Sequence, residues 1–261
     1  MTDDLLIFET FGPVARLTLN RPKAMNSLNT AILISLEARL AEIAARDDLR
    51  VLVVTGAGPA FCAGADLKEV LAGATAEPGE PDFLDRAATV FGQLRAFPKP
   101  VIAALNGVTM AGGLELAMCA DIVVAAESAT IGDAHANYGV YPGAGGAAIL
   151  PRLIPLNMAM YLLFTGKSLS AQEMKALGLV CEVHPDAELA EAVLALARQI
   201  AAKSPVALRR MKEVARATAD KTRDDALLHE QVMSRQHLRS ADLQEGLRAF
   251  AEKRPPQFQG R

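Results

Sequence analysis

The chain has 261 residues, 51% hydrophobic and 22% charged, with a formal net charge of −3. That balance suits a globular core with one small appended region and excludes the dense cationic footprint of broad nucleic-acid binding. No apolar stretch reaches the ~20 residues of a membrane-spanning helix, and the acidic start lacks the form of a secretory signal, so a cytoplasmic protein with no membrane partner is expected.

In chain order, Ile7–Thr10 and Val14–Leu19 read as a strand pair turning at Gly12-Pro13. A helix follows over Thr30–Asp47, with Ile32, Leu36, Leu40 and Ile43 on one face. Val51–Thr55, Val101–Leu105 and Ile122–Ala125 are nearly all apolar, as strands covered on both faces must be. This layout predicts an α/β fold with a largely parallel sheet. The first two of these strands each run into a glycine-containing loop and then a helix start, at Gly56–Asp66 and at Asn106–Glu115. Such loops can present unpaired N–H groups to a ligand. Gly73–Pro81 reads as a mobile surface loop and a candidate flap over a pocket.

From Ser170 the pattern becomes almost wholly helical. Ser170–Glu173 forms a capping box, Ser204-Pro205 is a cap followed by a first-turn proline, and Leu189, Val193, Leu196 and Ile200 make an apolar stripe. Another helix is expected through Leu227–Leu238. A boundary near Leu169 therefore divides a core, residues 1–169, from a helical region, residues 170–261, that packs on the core or on a neighbouring chain.

Cys62, Cys119 and Cys181 are scattered and odd in number, as small buried residues in a reducing compartment would be. His135, His184, His229 and His237 are too dispersed for a metal site. Gly56-x-Gly58 and Gly143-x-Gly145 lack the spacing of a nucleotide-binding loop, so neither NAD nor ATP is expected.

Four segments occur in order: Asn20-Arg21-Pro22-Lys23-Ala24-Met25-Asn26-Ser27-Leu28, Phe61-Cys62-Ala63-Gly64-Ala65-Asp66-Leu67, Ala111-Gly112-Gly113-Leu114-Glu115-Leu116-Ala117 and Pro142-Gly143-Ala144-Gly145-Gly146. Together they resemble the enoyl-CoA hydratase/isomerase (crotonase) superfamily over nearly the whole chain, including a final helix and tail near Phe250–Phe258. The resemblance implies a crotonase-like spiral of ββα units with a helical C-terminal region, a homotrimer or homohexamer, and an acyl-CoA thioester substrate. It implies no cofactor beyond the coenzyme A of that substrate.

By motif position, the resemblance assigns an oxyanion hole to the backbone N–H groups of Ala65 and Gly112. Removing an α-proton from a thioester, or adding a nucleophile at its β-carbon, puts negative charge on the carbonyl oxygen, and two fixed donors stabilise it. Glu115 matches one of the two glutamates of the hydratases. The other, seven residues before the proline of Pro-Gly-x-Gly-Gly, is replaced here by His135. A histidine can move a proton near neutral pH, with Asp133 and Asn137 as candidates to fix its tautomer.

The leading expectation is hydration of a 2-enoyl-CoA by Glu115 and His135. The alternatives are Δ3,Δ2-enoyl-CoA isomerisation by Glu115 alone, hydrolysis of an acyl-CoA or β-diketone through His135, and a non-catalytic CoA-binding relative. The resemblance places coenzyme A at Lys23, Ala24, Ala63, Asp66, Leu67 and Lys68, with Phe250 and Lys253 of a neighbouring chain. Met110, Tyr138, Val140 and Tyr141 are expected to shape the acyl pocket.

Overall fold

The computed structural model describes residues 5–73 and 82–261. Strands β1 (Leu6–Phe11) and β2 (Val14–Leu19) pair antiparallel, from Leu6 opposite Leu19 to Phe11 opposite Val14, and turn at Gly12-Pro13 as read. After a 3-10 turn at Pro22–Ala24 comes helix α1 (Thr30–Ala45), whose Asn29 cap accepts the Ile32 N–H at 2.9 Å. It ends at Ala45, slightly short of the expected Asp47, with Ile32, Leu36, Leu40 and Ile43 all buried.

A repeating unit then begins. Strand β3 (Val51–Gly56) leads to the short β4 (Ala60–Cys62) and to helices α2 (Leu67–Gly73) and α3 (Phe83–Arg95). Strand β5 (Val101–Leu105) leads to β6 (Val108–Met110) and α4 (Gly112–Ala117). Strand β7 (Ile122–Ala126) leads to β8 (Thr130–Gly132), a 3-10 turn at His135–Tyr138, α5 (Gly146–Leu153) and α6 (Leu156–Thr165). The remaining elements are β9 (Ser168–Ser170), α7 (Ala171–Ala176), β10 (Glu182–His184), α8 (Leu189–Ala201), α9 (Pro205–Ala217), α10 (Arg223–His237) and α11 (Ala241–Ala251).

The long strands share one six-stranded sheet, ordered β1-β2-β3-β5-β7-β10, and the short ones share a four-stranded sheet, ordered β4-β6-β8-β9. Each repeat thus contributes one strand to each sheet and its helices outside, which is the expected spiral of ββα units. Apart from β1–β2 and β8–β9, every pairing is parallel. Val51–Val54 are all buried, as both-face coverage requires, and each such side chain contributes about 1.5–3 kcal/mol.

Three expectations need correction. The two glycine loops are not continuous loops, because β4 and β6 interrupt them. The region after Ser170 is not wholly helical, because β10 pairs with β7 and so completes the large sheet. Cys181 is exposed, whereas Cys62 and Cys119 are buried as expected. The flap reading of Gly73–Pro81 lies, beyond Gly73, outside the described residues.

The C-terminal helices are tied firmly to this core. Helix α8 packs across β2, β3, β5, β7 and β10. Arg50 of the core donates to the carbonyls of Ala201 and Phe258, and within the C-terminal region buried Asp242 accepts the Ser204 hydroxyl at 2.7 Å and the N–H groups of Gln259 and Gly260. Lys212 and Arg216 of α9 both pair with Asp121, just before β7.

Candidate active site

The segment from Asn20 to Leu28 works as a clamp. Asn26, fully buried, accepts the Arg21 N–H at 2.8 Å and donates to the carbonyls of Ala57 and Ala60 at 2.9 and 2.7 Å. The Arg21 guanidinium holds the Ser27 carbonyl at 2.7 Å and the Asp66 carboxylate at 3.0 Å. These ties bring Leu28 beside Ala65 in an isolated parallel bridge. In that bridge the Leu28 N–H donates to Gly64 O at 2.8 Å and the Asp66 N–H to Leu28 O at 2.7 Å. The pattern occupies the residues on either side of Ala65 and leaves its own N–H pointing elsewhere.

Gly112 opens helix α4, so its N–H has no acceptor within the helix. The residue before it, Ala111, takes φ +50° and ψ −121°, a conformation costing an L-residue about 1–3 kcal/mol. Its N–H donates to Gly132 O at 3.0 Å, which fixes the turn. A Cβ added to Gly112 would stand 3.3 Å from the Ala65 nitrogen. The two amides are therefore close neighbours, and among the described residues neither donates to a protein acceptor.

Glu115, in the first turn of α4, is 4% exposed. Its Oε1 accepts two backbone N–H groups, from Ala144 at 2.9 Å and from Gly146 at 2.8 Å. The Ala144 carbonyl is itself held by Arg95 at 3.3 Å. One carboxylate oxygen is thus anchored, and among the described residues the other, Oε2, has no hydrogen-bond partner.

His135 follows Ala134, whose φ of +59° turns the chain. Its Nδ1 lies 2.9 Å from Asp133 Oδ1. A carboxylate of Asp only accepts, so Nδ1 carries the proton and Nε2 keeps its lone pair. Burial pushes the imidazole pKa down, but the hydrogen bond and charge of Asp133, with the charge of Glu115, outweigh it and hold the pKa above its ordinary value of 6.5. Asp133 is 1% exposed, and its Oδ2 has no hydrogen-bond partner among the described residues. Asn137 does not share the task of fixing His135, because its side chain donates to Gly166 O at 3.0 Å.

These groups border one cavity of about 300 Å³. Of the residues singled out in the sequence, Ala63, Ala65, Leu67, Gly112, Glu115, His135 and Tyr138 line it, as do Val140 and Tyr141. The others lie elsewhere. Lys23 is exposed and Ala24 half-buried in the 3-10 turn, Asp66 faces Arg21, and Lys68 is exposed on α2. Phe250, 85% exposed, and Lys253 sit at the end of α11, and Met110 does not border the cavity. Among the described residues no group of three or more His, Cys, Asp or Glu could hold a metal ion, and no helix is long and apolar enough to cross a membrane.

The sequence profile described as "Enoyl-CoA hydratase/isomerase" matches residues 9–261. The chain belongs to the enoyl-CoA hydratase/isomerase family. It is 37% identical to the 2,3-dehydroadipyl-CoA hydratase of Escherichia coli over 95% of this chain and 96% of that one. It is also 37% identical to an enoyl-CoA hydratase of Mycobacterium tuberculosis, over 98% and 96% of the two chains. The crystal structure of an enoyl-CoA hydratase from Bacillus anthracis superposes with a TM-score of 0.93 at 37% identity, covering 99% of this chain and all of that one. The fold is thus that of the family's enzymes.

Within this family member, sequence reasoning missed the anchoring of Glu115. Pro142–Gly146 served there only as a marker, yet two of its amides hold the carboxylate. Asn26 and Arg95 were missed in the same way, since a buried side chain bonded to backbone atoms leaves no pattern of spacing. The contribution of α3 was legible in principle: Phe83, Ala87 and Phe91 recur every four residues and all line the cavity.

Proposed function

We propose that this protein hydrates a 2-enoyl-CoA to the 3-hydroxyacyl-CoA. One observation carries the reading: a single cavity is bordered by the adjacent unpaired amides of Ala65 and Gly112 and by the side chains of Glu115 and His135. In this reading the thioester carbonyl sits between the two amides. Each donor stabilises the developing enolate oxygen by about 3–4 kcal/mol. The free Nε2 of His135 accepts a proton from water as its oxygen adds to the β-carbon. The α-carbon takes a proton from the unanchored oxygen of Glu115, and the imidazolium formed is stabilised by Asp133.

The coenzyme A portion is assigned to the surface beside Lys23, Ala24 and Lys68, together with the backbone of residues 63–67. Phe250 and Lys253 of a neighbouring chain would complete it in a homotrimer or homohexamer. Support for assembly comes from the exposed apolar side chains Phe164, 75% exposed, and Phe250. The reaction needs no cofactor beyond the coenzyme A of the substrate. The three free thiols support a reducing, cytoplasmic setting.

The test is the loss of absorbance of the conjugated thioester when crotonyl-CoA and longer 2-enoyl-CoAs are supplied. Inactivity across the panel would overturn the reading. Should a 3-enoyl-CoA instead gain that absorbance, and His135→Ala retain the activity, the protein is an isomerase working through Glu115 alone.

A further inference from the structure

Helix α3 presents Phe83, Ala87 and Phe91 to the cavity, at 7%, 4% and 1% exposure. Tyr138 and Tyr141 also line it but are 75% and 80% exposed. The phenylalanines therefore stand at the closed end and the tyrosines at the mouth. Between the two phenylalanines, Ala87 is the small residue that leaves room. Among the described residues lining the cavity there is no lysine or arginine. The cations of α3 are engaged elsewhere: Arg86 pairs with Glu37, and Arg95 holds Ala144 O and Cys119 Sγ.

We infer that the enzyme selects 2-enoyl-CoAs whose acyl tail ends in uncharged hydrocarbon and rejects those ending in a carboxylate, with Ala87 setting how far the tail reaches. The inference rests on the hydration reading and adds the substrate class to it. A tail carboxylate entering this cavity would lose its water and find no lysine or arginine to pair with. A hydrocarbon tail gains by leaving water, at about 0.8 kcal/mol for each buried methylene.

The experiment compares trans-2-hexenoyl-CoA with the thioester of the same length whose terminal methyl is replaced by a carboxylate. The carboxylate compound is expected to show kcat/KM at least about tenfold lower. Equal or better turnover of the carboxylate compound overturns the inference. If neither is hydrated, the hydration reading fails instead, and the tail preference is read separately by binding of hexanoyl-CoA against adipoyl-CoA: tighter hexanoyl-CoA binding supports it, and equal or weaker binding overturns it. For the reach of the tail, Ala87→Leu is expected to lower turnover of trans-2-decenoyl-CoA at least about tenfold more than that of crotonyl-CoA. Ala88→Leu, on the exposed face of the same helix, leaves that ratio unchanged. An unchanged ratio in Ala87→Leu overturns the role given to Ala87.

Discussion

Nδ1 of His135 lies 2.9 Å from Oδ1 of Asp133, a carboxylate only 1% exposed. His135 stands where the resemblance to the hydratases places a glutamate, and its pairing with Asp133 makes a distinct prediction about pH. A base must be unprotonated to accept a proton from water, so activity should fall as pH drops through the raised pKa of His135, above 6.5. Asp133→Asn removes the charge that outweighs burial, and the acid limb of the kcat/KM profile should move to lower pH. An unmoved limb would show that His135 does not set it. The sign for stability is the opposite of that for activity. A raised folded-state pKa favours the folded protein below about 6.5, and that contribution disappears as pH rises through the raised value.

Neighbouring glycines should separate function from folding. A methyl on Gly112 would sit 3.3 Å from Ala65 N and 3.5 Å from Gly64, a tight fit in which the Ala65 amide must give by a few tenths of an ångström and the space beside it is filled. Gly112→Ala should therefore lose about 100-fold in kcat/KM while unfolding in urea at nearly the parent midpoint. At Gly113 a Cβ would overlap the Cys62 carbonyl oxygen, a backbone atom that cannot move aside. Gly113→Ala should lower stability by about 3 kcal/mol or more.

Asn26→Ala tests the clamp on the Ala65 side. It leaves the Arg21 N–H and the Ala57 carbonyl unpaired, whereas Ala60 O keeps a bond from Asn106 at 3.2 Å. It also places alanine at φ +55°, where asparagine is better tolerated. A loss of about 2–4 kcal/mol is expected in denaturant unfolding. A loss below about 1 kcal/mol would mean that the clamp contributes little.

The legible parts of this molecule are those whose signal repeats along the chain. The strands at Val51, Val101 and Ile122 announce themselves by continuous apolar runs, and α1 by its four-residue spacing. The three-residue strands β4, β6, β8, β9 and β10 span too few residues for any period to emerge, so the second sheet was invisible. Glu115 and His135 were singled out through their places within the motifs, Glu115 as a match and His135 as a departure, and the fold brings both to one cavity. The anchors were not. Ala144 and Gly146 act through backbone amides, which every sequence has, and only the folded chain brings them within 2.9 Å of a carboxylate.

The cysteines offer an independent check on packing. Burial pushes the Cys62 thiol up to about 12, and does the same to Cys119 despite the nearby guanidinium of Arg95. Cys181 is exposed at the end of the loop before β10. The thiolate is the reactive form, so native protein at pH 8 should take up one equivalent of iodoacetamide, at Cys181, and three after unfolding. Mass spectrometry locates the label. Rapid native modification of Cys62 would contradict the packing of β4.

Glu115→Gln isolates proton transfer from architecture. The glutamine oxygen can accept the same two N–H groups, from Ala144 and Gly146, so the loop and the cavity should persist and the melting temperature should change little. What is lost is a proton that can be given to the α-carbon and taken back. A general acid of this kind contributes about 10²–10⁴-fold, and kcat should fall by that factor with little change in affinity for a saturated acyl-CoA. Exchange of the substrate α-proton with deuterated solvent is the more direct readout, since it reports Glu115 alone, before any demand on His135. If Glu115→Gln exchanged that proton at the parent rate, Glu115 would be an anchor of the Pro142–Gly146 loop and nothing more, and the catalytic acid would have to be sought elsewhere around the cavity.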